Sequence, residues 1–430
     1  MRLHRGLWAL LPLAALASGL SSSWMVPVDH DAIKYTKSPV DDPVARLQKR
    51  IDSGAVKLKY EDEFGYLRSV LQELNVPVSS QVLVFSKTSF QAPRIAPRTP
   101  RALYFRDDVS VGFVRTGDVL EFAATDPKQG VQFYTLDQGR SSHPEFQRRE
   151  VCLQCHQASA TMGVPGLMVR SVTPDRNGMP MMAEGGYITD HRSPLKERWG
   201  GWYVEGNTGS QKHMGNATAG ADGVLASEEE TQNISTLRHF IDTGAYVSPH
   251  SDIVALMTLE HQTQMENLMI RVGWEARIAL FENEGINRSL NEPPGAIREA
   301  TQHRVNTAVE DLVEYMLFSG ETKLTDPVTG VSGFTEEFQK AGIRDPKGRS
   351  LRDFDLKTRM FRYPCSYLIY SEAFDNMPQI VKDRVYQRLE EVLCGKDTSP
   401  KFAHLSAADR QAIREILIAT KPDLRNSLRG

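Results

Sequence analysis

The chain has 430 residues, 40% of them hydrophobic and 24% charged, with a formal net charge of −3. That mildly acidic balance gives no support to a nucleic-acid role, which needs a clustered basic face. The length suits two or three domains of ~150 residues each and a core that folds without metals or disulfides as support.

At the N-terminus, Arg2 and Arg5 precede an apolar run from Gly6 to Leu20, followed by Ser21, Ser22 and Ser23. With small residues at Ala15 and Ala17, residues 1–23 are predicted to be a secretory signal peptide. The run is shorter than the ~20 apolar residues of a membrane anchor, and no later stretch is long and apolar enough to span a bilayer. Cleavage would take the formal charge from −3 to −5. The mature protein is expected to be exported, periplasmic or beyond, with no membrane span.

Residues 24–140 are expected to hold a helical segment and then an antiparallel β region. Arg46 to Ile51 and Tyr66 to Leu74 carry apolar residues at helical spacing. Val82–Phe85, Ala102–Phe105, Val109–Val114, Val119–Ala124 and Gly130–Leu136 are short β-rich runs separated by turn residues. Gln91 to Arg101, rich in proline and arginine, reads as an extended connector. Residues 141–226 form a glycine-rich, loop-rich region that opens on the motif VCLQCHQ. Residues 227–430 are expected to be helical, with a long helix from Asp252 to about Asn283. Further helices are predicted over Arg304–Phe318, Ser366–Phe374, Gln379–Leu393 and Ala407–Thr420, the last with a Ser406/Asp409 capping box. The predicted fold class is α+β, with an antiparallel β region, a loop-rich middle and a mostly helical C-terminal half.

The chemistry is concentrated in Cys152, Cys155 and His156. Two thiols three residues apart on one helical turn can add across the two vinyl groups of a haem. The next residue then falls beneath the iron, which is why C-x-x-C-H reads as c-type haem attachment. A structural zinc site would need four ligands, and no second close pair follows. A thioredoxin-like dithiol would sit at the start of a helix in a βαβ unit and leave His156 incidental. The motif resembles that of c-type cytochromes. In single-haem members a Gly-Pro-x-Leu element about ten residues on supplies a carbonyl that orients the proximal histidine. Gly163-Val164-Pro165-Gly166-Leu167 lies near that offset, with one extra residue between glycine and proline. The stretches ALYFRDDVSVGFV, ERWGGWYVEG with KHMGN, and CSYLIYSEAFD are similar to those of large uncharacterised exported bacterial proteins with one such motif.

The resemblance implies one covalently attached haem c, His156 as proximal iron ligand, and single-electron transfer between redox partner proteins. For the distal position His213 or Met214 is the leading candidate, with Gly215 beside them to admit close approach. Met179, Met181 and Met182 form a second candidate cluster and His261 a third. Trp199, Trp202 and Tyr203 could pack on the ring, and Arg170, Arg192 or Arg198 could face its propionates. The alternative function is a haem enzyme reducing peroxide or a small oxide, or a haem-based ligand sensor, either with an open iron position. Cys365 and Cys394 flank a predicted helical hairpin and are candidates for a disulfide.

Overall fold

The computed structural model describes residues 25–226 and 228–425; the predicted signal peptide lies outside them. Helices α1 (Pro43–Asp52) and α2 (Leu67–Glu73) come first. They carry the periodic runs read from the sequence, and the remainder of the predicted helical segment is turns. Strands β1 (Val82–Val84), β2 (Arg101–Arg106), β3 (Val109–Val114), β4 (Val119–Asp126) and β5 (Gly130–Asp137) follow the predicted β runs. Strand β6 (Phe146–Arg148) precedes the one-turn helix α3 (Leu153–His156). Strands β7 (Val169–Val172) and β8 (Gly186–Thr189) pair as a separate ribbon, and β9 (Trp202–Tyr203) and helix α4 (Glu228–Thr231) close the middle region.

The C-terminal half contains α5 (Ile253–Leu290), α6 (Glu299–Met316), α7 (Phe334–Lys340), α8 (Glu372–Asp375), α9 (Gln379–Leu393), α10 (Ala407–Thr420) and α11 (Pro422–Arg425). Ser406 and Asp409 form the capping box of α10. The predicted helix over Ser366–Phe374 does not form. A 3-10 turn, Tyr367–Tyr370, leads into the single turn of α8 instead. Among the described residues no helix is long and apolar enough to cross a membrane.

The fold is α+β, built on a seven-stranded antiparallel sheet of order β6-β5-β4-β3-β2-β1-β9. Side-chain alternation sends Leu83, Tyr104, Val111, Phe122 and Leu136 to one face, where α1 and α2 cover them. On the other face two separate clusters form. One gathers Val82, Val84 and Phe105 against α5 and the helical half. The second gathers Val131 and Phe133 with Val164, Ile270 and Trp274. Cys152 and Leu153 of the motif pack against this second cluster.

Candidate functional site

Cys152 ends a short 3-10 turn that runs into α3, so Cys152, Cys155 and His156 share one turn of backbone. Both thiols are free, Cys152 half-buried and Cys155 exposed. Burial, with Glu121 adding to it, raises the pKa of the Cys152 thiol. The His156 ring lies over Phe133 of β5 at a centroid distance of 4.7 Å. Its Nδ1 is 2.9 Å from the Gly166 carbonyl. A carbonyl oxygen only accepts, so Nδ1 carries the proton and Nε2 keeps the lone pair. The carbonyl belongs to the residue after Pro165, within the Gly163–Leu167 element read from the sequence. Burial holds His156 below the ordinary histidine pKa, which preserves that neutral ligand form.

The registers Leu103↔Gly112↔Glu121 and Phe105↔Ser110↔Ala123↔Phe133 align these residues across β2 to β5 on the motif's side of the sheet. Leu103, Ser110 and Ala123 are only half-buried, Leu103 packed against the first cluster and Ala123 against the second. Arg101 overlies Gly112, where any side chain would collide with the guanidinium. It is paired with Glu121, and this ion pair acts electrostatically on His156. Sequence reading missed Arg101 and Glu121. The available signal was a charged residue alternating with Leu103 and Phe105 on one strand and with Ala123 on the other. A neutral histidine with a fixed tautomer and two free thiols on its own turn are groups that could hold a covalently attached haem.

His213 and Met214 are not brought to this motif. His213 is buried against the edge of Trp199, its Nδ1 accepts from the Gly215 N–H at 3.1 Å, and burial lowers its pKa to about 4. The Met214 sulfur receives the Ser171 hydroxyl at 3.7 Å. Gly215 is packed tightly against Val204, next to β9, so its missing side chain serves the core rather than a ring. Among the described residues neither the His213 nor the Met214 side chain has a hydrogen bond or ring contact to Cys152, Cys155 or His156. His261 is fully buried, with Nδ1 2.9 Å from His191 Nδ1 and Nε2 2.9 Å from the Ser366 hydroxyl. Both of its nitrogens are engaged, and its pKa falls to about 3 through burial. Met179 and Met182 are 50% and 82% exposed on the connection between β7 and β8, and Met181 is half-buried between them.

Trp199, Trp202 and Tyr203 are buried core residues, with Trp202 Nε1 donating to the Arg170 carbonyl and the Tyr203 hydroxyl to that of Pro97. Arg198 is buried in a pair with Glu260, Arg192 is paired with Asp190, and Arg170 is exposed.

The expected Cys365–Cys394 disulfide is not present. Both thiols are free, Cys365 fully buried and Cys394 exposed at the end of α9. Without a helix over Ser366–Phe374 there is no helical hairpin to set the two side by side. Among the described residues no three His, Cys, Asp or Glu side chains converge as a metal site. Comparison with protein-family models, curated proteins and solved structures finds no match to this chain.

Proposed function

We propose that this is an exported mono-haem c-type cytochrome that passes single electrons between redox partner proteins. Cys152 and Cys155 hold the haem, and His156 ligates its iron through Nε2. The observation that carries this reading is the His156 Nδ1 contact to the Gly166 carbonyl beside two free thiols. It fixes the tautomer and aim that a ligating imidazole requires. When bound, the haem supplies a one-electron ferric/ferrous couple whose potential depends on axial ligand, hydrogen bonding and burial. The chain's own part is to hold the imidazole neutral over Phe133, keep Cys152 and Cys155 on one turn, and set the Arg101–Glu121 pair nearby. Of the distal candidates, only Met179 and Met182, on the β7–β8 connection, are exposed.

Protein produced in a host that matures exported c-type haem should keep its colour through denaturing electrophoresis, with one haem per chain. Cys152→Ser with Cys155→Ser should abolish retention. A colourless, zinc-containing product in that host overturns the assignment. The ferrous spectrum should be unaffected by carbon monoxide. A spectrum that shifts on adding the gas would instead support the haem-enzyme or sensor reading.

A further inference from the structure

Asn267 lies on α5, 100 residues from Leu167, and its amide clasps that residue's backbone on both sides. The Leu167 N–H donates to Asn267 Oδ1 at 3.0 Å, and Asn267 Nδ2 donates to the Leu167 carbonyl at 2.7 Å. Asn267 is 1% exposed. The preceding residue is Gly166, where a Cβ would run into Asn267 Oδ1. The carbonyl of this same Gly166 receives His156 Nδ1, and its N–H donates back to the His156 carbonyl at 2.9 Å. The rest of the loop is tied equally closely. The Thr161 hydroxyl is 2.8 Å from the Val164 carbonyl, and α5 reaches the loop again through Arg271 Nη1, which donates to the Met162 carbonyl at 2.9 Å.

We infer that Asn267 is a positioning residue for the proximal histidine. It presses the Gly166–Leu167 backbone against α5 and so aims the Gly166 carbonyl at His156 Nδ1. This rests on the haem assignment above and adds a residue that no part of the motif contains. A hydrogen bond from Nδ1–H to a fixed carbonyl increases the electron donation of the imidazole to a bound metal. Favouring ferric over ferrous iron in this way lowers the reduction potential. Loosening the clasp should therefore raise it.

The experiment is a spectroelectrochemical titration of the holoprotein and three variants. Asn267→Leu keeps the volume and removes both hydrogen bonds, while Gly166→Ala pushes the clasp apart from the other side. Asn283→Leu is the control. Asn283 is a second buried asparagine of α5, which donates to the Ala296 carbonyl at 2.7 Å and is remote from the loop. At an ambient potential near the parent's midpoint, Asn267→Leu and Gly166→Ala should raise the ferrous-to-ferric ratio severalfold. A tenfold rise corresponds to about 59 mV for one electron. Asn283→Leu should lower thermal stability and leave the ratio unchanged. In the parent ferrous protein the His156 Nδ1 proton should exchange slowly with deuterated solvent, a measurement that needs no variant. Unchanged midpoints in the two loop variants, or rapid exchange of that proton in the parent, overturn the inference. A parent protein that takes up no haem overturns the haem assignment itself, a distinct result.

Discussion

The imidazole of His213 accepts a hydrogen bond from the Gly215 N–H and faces the edge of Trp199, an environment that suits only the uncharged ring. Its folded pKa of about 4 lies below the unfolded value of ~6.5. Between those values the unfolded chain binds more protons, so stability is complete above pH ~6.5 and declines as pH falls towards 4. This one group contributes a slope of about 1.4 kcal/mol per pH unit within that window. Denaturant titrations at several pH values should show His213→Gln reducing the slope by up to one proton. On the proposed haem assignment its spectrum should match the parent's, because the ring is packed against Trp199 and the Gly215 N–H. A changed spectrum would return His213 to the distal position. A histidine beside a methionine and a glycine resembles a ligand segment when only chain spacing is visible. Packing makes it a core residue.

Helix α5 shows how much a single element carries. Helical spacing sets Val254, Met257, His261, Met265, Leu268 and Val272 along one apolar face, yet nearly every residue from Ile253 to Ile270 is buried. The helix has the sheet and ribbon on one side and α6 and α9 on the other, so it is a central spine rather than an amphipathic cover. Asp252 starts it. One carboxylate oxygen accepts from the Val254 N–H at 2.8 Å and the Ala255 N–H at 3.3 Å, and the other accepts from Val331 and Ser332 at 2.6 and 2.8 Å. Asp252→Ala removes the cap and strands two loop N–H groups, a loss of about 2–4 kcal/mol. Asp252→Asn keeps a capping oxygen and should fall between the two, read as denaturant midpoints at constant m-value. The periodicity that announced α5 misled at residues 366–374. Tyr367, Leu368 and Ile369 are buried apolar residues on a 3-10 turn, and Cys365 before them is in the core while Cys394 is exposed.

Across the whole molecule, the middle region is joined to the helical half through charge as well as packing. Arg198 donates to Glu260 at 2.9 Å and to the carbonyls of His191 and Ser193, while Thr189 donates to the second Glu260 oxygen at 2.6 Å. Burial pushes Glu260 up to about 7 despite the arginine. Arg198→Met should therefore cost about 3–5 kcal/mol by leaving a buried carboxylate unpaired, and adding Glu260→Gln should recover part of that loss. A double-mutant cycle in denaturant measures both. The same division between near and far contacts separates what was legible in the sequence from what was not. Strands β1 to β5, the start of α5, helices α9 and α10 and the contiguous motif were legible because pleat alternation, helical periodicity, capping and a one-turn constellation are local sterics and hydrogen bonding. The Arg101–Glu121 pair, the Asn267 clasp and the separation of His213 from His156 join or divide residues far apart in the chain. Only the meeting of two core clusters over one sheet face decided them, because which buried faces come together depends on packing the whole chain at once.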